Sequence, residues 1–116
     1  MQYLLLIYVP NGERRTEAEI DQEIGEYWAY EKEVSEAGVM VDSKALKGVD
    51  AATTIAVRGD ERIVTDGPFT ETSEVLGGYY LLDVPDLDTA LDWAARIPGA
   101  RRGKVEVRPI QVFEQP

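Results

Sequence analysis

The sequence predicts an α+β domain of ferredoxin-like type: one antiparallel sheet with two helices on one face. Three observations lead to it. Apolar and turn-forming segments alternate in the order strand, helix, strand, hairpin, strand, helix, strand. Each helical segment carries its own start and stop residues. A chain of 116 residues has room for one core, so residues 1–116 are expected to form a single domain.

Gln2 to Val9, QYLLLIYV, is an apolar run closed by Pro10-Asn11-Gly12, which favours a strand. Both alternating sets are apolar: Leu4, Leu6 and Tyr8 on one side, Tyr3, Leu5, Ile7 and Val9 on the other. Such a strand must be covered on both faces. Thr16 and Glu19 match a capping box that opens a helix, and Gly38 suits its left-handed end. Ile20, Ile24, Tyr27, Trp28, Val34 and Ala37 recur at helical spacing and are expected to be its buried stripe. Glu31 falls on that stripe, either as an edge carboxylate reaching water or as a partly buried acid held by an arginine or tyrosine.

Val39-Met40-Val41 opens a second strand running irregularly toward Leu46. Thr53–Arg58 and Arg62–Thr65 flank Gly59-Asp60-Glu61 at hairpin spacing. Tyr79 to Val84 is another apolar strand. Asp86 then caps a helix whose core face is Leu87, Ala90, Leu91, Ala94 and Ala95, stopped by Pro98-Gly99. Lys104 to Phe113 is the last strand, and Pro109 points to an edge or a bulge.

Two helices cover one sheet face, yet the first strand is greasy on both. Burying each such side chain is worth about 1.5–3 kcal/mol, so the second face is expected to pair with another copy, sheet against sheet. The partner expected first is therefore a second identical chain, in a homodimer through the open sheet face.

Composition excludes several chemistries. There is no cysteine and no histidine, which removes disulfides, thiolate nucleophiles, imidazole bases and His-ligated metals. No metal and no cofactor is expected. A net charge of −10 repels phosphate backbones, so direct nucleic-acid binding is not expected. Arg101, Arg102 and Lys104 form the one basic cluster, equally suited to favouring a helix dipole. No apolar run reaches the roughly 20 residues of a membrane helix, and no signal peptide is visible; a soluble, cytoplasmic chain is expected, with no membrane partner.

The densest chemistry lies in Val64–Tyr80, VTDGPFTETSEVLGGYY, where the Asp66-Gly67-Pro68 turn leads into a polar loop between strands. Asp66, Glu71 and Glu74 are the candidate catalytic carboxylates, since two of them close together would supply an acid beside a base. Equally, Asp66 serves as a turn cap and the two glutamates as solvated charges. A ligand pocket near this loop is expected to draw on Asp66, Phe69, Glu71, Tyr79, Arg108, Tyr8 and Trp28. Tyrosines would donate to a developing oxyanion and Arg108 would clamp a carboxylate. The same arginine equally suits a salt bridge tying the loop to the last strand. Trp28 and Trp93 read mainly as packing residues.

YLLLIY near the start, VTDGPFTETSEVLGGYYLLDVPDLDTALDWAARIPGA and the closing VEVRPI resemble the YCII-related family, in its DGPF-type branch, over nearly the whole chain. The resemblance implies a dimeric α/β barrel. Relatives of that superfold include lactone isomerases, dehydrochlorinases and monooxygenases that work in the cavity between helices and sheet. It also implies a regulatory link to extracytoplasmic-function sigma factors. The catalytic pattern in the family pairs a histidine with an aspartate. Asp66 matches the aspartate, but its imidazole partner is missing, so the dyad is not carried over. The expected function is thus a small dimeric binding or accessory protein for a small molecule. The alternative is a lyase or isomerase acting on a small organic or aromatic acid through a carboxylate base.

Overall fold

The computed structural model describes residues 1–70 and 72–116. Along the chain run β1 (Gln2–Pro10), α1 (Glu17–Glu36), β2 (Met40–Ala45), β3 (Thr53–Arg58), β4 (Glu61–Asp66), β5 (Glu74–Asp83), α2 (Leu87–Ala95) and β6 (Lys104–Pro109). Short 3₁₀ turns occupy Val49–Ala51 and Pro98–Arg101. Four strands form one antiparallel sheet in the order β2-β5-β1-β6, the α+β ferredoxin-like arrangement. β3 and β4 pair only with each other, as an inserted hairpin.

The helix starts follow the local chemistry. Thr16 Oγ1 accepts from the Glu19 amide at 3.1 Å, and Glu19 Oε1 accepts from the Thr16 amide at 3.2 Å. Asp86 Oδ1 accepts from both the amide and the hydroxyl of Thr89. Gly38 takes φ +75°, where a Cβ would be strained, and α1 ends there. Pro109 closes β6 on the sheet edge, where its missing N–H breaks no ladder.

One sheet face meets the helices. Tyr3, Leu5 and Ile7 of β1 are buried on it with Tyr80 and Leu82 of β5, and Leu5 and Leu82 are fully buried. Tyr30 and Val34 come down from α1, and Ala90 and Ala94 from α2. Tyr30 stacks edge-on against Tyr80 at 5.1 Å and against Trp93 at 6.2 Å, and its hydroxyl donates to the Trp93 carbonyl at 2.9 Å. Burial holds the Tyr30 phenol well above its ordinary pKa, so it stays a donor.

The buried face of α1 differs from the apolar stripe. Ile20, Ile24, Trp28 and Ala37 are exposed, Trp28 by 69%, while Tyr30 takes the central core position. Tyr27 and Val34 of that stripe do turn inward; Tyr30 and Glu23 complete the face, Glu23 through polar bonds described below. Leu87, Leu91 and Ala95 of α2 are exposed as well, leaving its two buried alanines against the sheet.

β5 begins at Glu74, ahead of the Gly77-Gly78 pair, so both glycines lie inside the strand and not in a loop before it. The register slips between Ile7 and Tyr8: Ile7 faces Gly78 while Tyr8 faces Leu76, so Gly77 is the extra residue of a bulge. The second sheet face carries Leu4, Leu6, Tyr8, Tyr79 and Leu81 across its two central strands, all half-buried. Lys104, Glu106 and Arg108 of β6 flank them on one side, and Asp42 and Lys44 of β2 on the other. The β3–β4 hairpin projects from this body with Ile55, Val57, Ile63 and Val64 exposed. The radius of gyration is accordingly 16.5 Å, against roughly 13 Å for a compact domain of this size.

The backbone of Gly103, just before β6, lies close against β1: a Cβ there would fall on the Tyr8 carbonyl oxygen. Gly103→Ala is expected to lower stability by about 1–3 kcal/mol, because backbone must move to admit it. An unchanged urea midpoint would refute that close approach.

Candidate functional site

A cleft of about 480 Å³ lies between α1 and the β2–β5–β1 part of the sheet. Its floor is made of residues with little or no side chain: Gly77 and Gly78 of β5, Ser43 and Ala45 of β2, with Ile7 and Val9 beside them. A Cβ on Gly78 would sit 2.6 Å from the Lys44 carbonyl oxygen and 3.2 Å from the Ala45 Cα, so β2 closes on bare backbone. The roof is α1. Glu23, Tyr27 and Glu31 follow one another at intervals of four residues, about 6 Å of helix rise each, and Ile24 and Trp28 form the neighbouring stripe. Ile24, Trp28 and Leu46 remain exposed where they border the cleft.

Three polar arrangements shape this space. Glu31, half-buried, accepts a hydrogen bond from the Tyr80 hydroxyl at 3.1 Å. Burial first, and then the charge of Glu31, drive the Tyr80 pKa far above its ordinary value, so Tyr80 remains a neutral donor. Tyr27 Oη accepts from the Gly99 amide at 3.1 Å, which leaves its own hydrogen for another acceptor. Its pKa is raised too, mainly by burial.

The third arrangement is an ion network at one end of the cleft. Arg102 grips Glu23 with two bonds, Nε to Oε2 and Nη2 to Oε1, each 2.9 Å. Arg15 Nη2 reaches Glu23 Oε2 at 2.9 Å, and Arg102 Nη1 reaches Glu13 at 3.2 Å. The Arg102 hydrogen bonds hold the Glu23 carboxyl below its ordinary range, against the opposing effect of burial. This network ties α1 to the turn before β6.

The residues singled out in the sequence fall in three places. Trp28 and Tyr79 border the cleft, although the Tyr79 hydroxyl turns to Asp42 Oδ2, 2.7 Å away. That bond lowers the Asp42 pKa and raises that of Tyr79. Tyr8 and Arg108 lie on the second sheet face, opposite Lys104 and Leu4 respectively, roughly 13 Å apart along β1. Asp66 ends β4 and Phe69 is 86% exposed, both at the base of the hairpin. There Gly67 takes φ +97°, its amide bonds the Ala52 carbonyl, and Thr54 Oγ1 donates to the Gly67 carbonyl at 2.8 Å. Glu74 pairs with Lys104, joining β5 to β6. Glu71 lies outside the described residues.

Glu31 is the partly buried acid held by a tyrosine, one of its two sequence readings. Glu23, Tyr27 and Arg102 were legible only in part. Their signal is the four-residue spacing on α1 together with a basic cluster that turns out to answer an acid 79 residues away. No group of three acidic side chains able to hold a metal occurs among the described residues. Among the described residues no helix is long and apolar enough to cross a membrane.

The YCII-related domain matches residues 1–114 of the chain. An uncharacterised protein of Rhizobium meliloti (strain 1021) is 37% identical over 120 residues, covering 98% of this chain and 95% of that one.

Glu23 makes the cleft's end sensitive to acid. Its carboxyl, ordinarily near 4.5, is lowered in the folded chain, so its stabilisation is present above about pH 4.5 and is lost as pH falls through the lowered value. Glu23→Gln is expected to cost about 1–2 kcal/mol at pH 7 and progressively less on acidification. Parallel stability curves for the two proteins between pH 7 and pH 3 would exclude this role.

Proposed function

This chain belongs to the YCII-related family, and from that premise we propose that it is a small-molecule-binding protein working as a homodimer. The carrying observation is the cleft under α1. It has small-molecule size, a bare backbone floor and an apolar rim left in water, with a carboxylate and a phenol directed at one space. Its walls combine large apolar area with few polar groups, which is how ligand sites gain affinity and orientation together. We assign the chain to the DGPF-type branch on Asp66-Gly67-Pro68-Phe69. The regulatory link to extracytoplasmic-function sigma factors rests on that resemblance alone, and dissociation of a co-purified sigma factor on ligand addition would be its test.

An enzymatic reading has one observation in its favour. Glu31 and Tyr27 stand one helical turn apart on the cleft roof, a carboxylate base beside a hydroxyl donor. The carboxylates singled out in the sequence, Asp66, Glu71 and Glu74, are the competing candidates for the base, so the two sets can be separated by substitution.

The dimer reading uses the second sheet face. Its central apolar stripe lies between charged edge strands, a pattern that a two-fold copy can match to itself. Neighbouring side chains and the aliphatic stems of Lys104 and Arg108 already shield part of it. The gain per residue is therefore below that of full exposure, and the total depends on the whole stripe.

A thermal-shift screen of small organic acids, amines and alcohols is expected to yield ligands, with about 2.7 kcal/mol of added stability at 100 times Kd. A flat screen across all three classes would count against a binding role. Any hit that is consumed tests catalysis: turnover lost in Glu31→Gln and kept in Asp66→Asn places the base on α1, and the reverse places it in the DGPF turn. Light scattering is expected to give twice the chain mass of 12.9 kDa, falling to one copy in Leu6→Lys. A wild-type protein of 12.9 kDa at micromolar concentration would overturn the dimer.

A further inference from the structure

The charges lining the cleft are unequally satisfied. Glu23 is held by both Arg102 and Arg15, and Arg102 is shared with Glu13. Three of Arg102's five N–H groups are already given to two carboxylates, which leaves little unspent charge for an incoming anion. Lys44 contributes to the wall, but its ammonium pairs with Asp42 at 3.3 Å, and its place opposite Tyr79 belongs to the other sheet face. Glu31 has a different position. It forms no ion pair among the described residues, and its recorded partner is one tyrosine hydroxyl. A carboxylate has two oxygens and about four acceptor sites, so most of the capacity of this cleft-lining group is unused by the fold.

We propose that this cleft selects a protonated primary amine carried on a ring-sized apolar body, with Glu31 as its counter-ion. The assignment rests on the binding role given above and deepens it. The ammonium would bond Glu31 in a cleft that Trp28, Tyr27 and Tyr80 also line, and aromatic rings favour cations. The apolar body would lie on the Gly77-Gly78 floor, where the strand carries no side chain of its own and Val9 lies alongside. A carboxylate ligand fares worse on each count. It meets Glu31 as a like charge, finds the nearby guanidinium already paired twice, and has the Tyr27 hydroxyl as its donor. Tyr80 gives its hydrogen to Glu31 and cannot serve both. The net charge of −10 adds a long-range bias toward cations.

The test is isothermal titration of the full chain with 2-phenylethylamine, phenylacetate and benzyl alcohol, which share a ring and differ in charge. The amine is expected to bind at least about tenfold more tightly than either of the others, since a tenfold ratio is 1.4 kcal/mol of preference. Glu31→Gln should erase that preference, weakening the amine far more than benzyl alcohol. The amide keeps a carbonyl oxygen for the Tyr80 hydroxyl, so the variant is expected to fold, checked by its melting curve. Phenylacetate binding as tightly as the amine would overturn the amine assignment and leave the cleft as a ligand site. An amine preference surviving in Glu31→Gln would overturn Glu31 as counter-ion. If none of the three binds at millimolar concentration the amine assignment fails, whereas the binding role itself falls only if the wider screen is flat too.

Discussion

A methyl group at Gly78 would lie 2.6 Å from the Lys44 carbonyl oxygen, inside any tolerable contact distance. The missing side chain therefore sets how closely β2 can pair with β5, and it leaves the helix-facing surface bare at that point. Everything else about the cleft follows. With Ser43 and Ala45 beside the two glycines, there is nothing to fill the space beneath the first turns of α1. The bulge at Gly77 shifts the register of β5 on β1 by one residue at this gap while pairing continues on either side. A hollow that would otherwise cost packing energy is built into the strand itself.

The helix above that hollow cannot be held by apolar contact alone, because the hollow removes the contact. Polar bonds replace it. Arg102 and Arg15 close on Glu23 at one end, the Gly99 amide on Tyr27 in the middle, and Tyr80 on Glu31 further along. Tyr27 also packs against the core, and from Tyr30 to Val34 α1 meets the sheet through ordinary core packing. The two halves of the helix thus serve different ends: one anchors, and the other roofs a space. Exposure of Ile24 and Trp28 on the roofing half is consistent with that division.

The second sheet face and the hairpin are the remaining apolar surfaces. The face is a stripe of leucines and tyrosines on β1 and β5 with charged strands at its borders. Mutual shielding keeps those side chains half-buried, so the pressure to cover them is smaller than a count of apolar residues implies. The hairpin is the reverse case: its isoleucines and valines project into water on a two-stranded ribbon. Isolated ribbons of that kind are marginal, and here the base is tied by the Gly67–Ala52 and Thr54–Gly67 bonds.

Local patterns were sufficient for the order of elements, both helix caps, the edge position of β6 and the sheet with helices on one face. These depend on residues near one another in the chain: Thr16 with Glu19, Asp86 with Thr89, alternation along β1. The composition alone removed imidazole and thiol chemistry, whatever the fold. The inward face of α1 and the start of β5 needed the tertiary structure. Glu23 is held half-buried by an arginine 79 positions away, which no local pattern shows. A glycine pair reads as a loop until the neighbouring strand that needs its bareness is in place. The sequence by itself thus determined which segments fold and how they are capped. Only three-dimensional contact decided which carboxylates are paired and which one faces the cleft, because a charge is satisfied by what lies across space and not by what lies beside it in the chain.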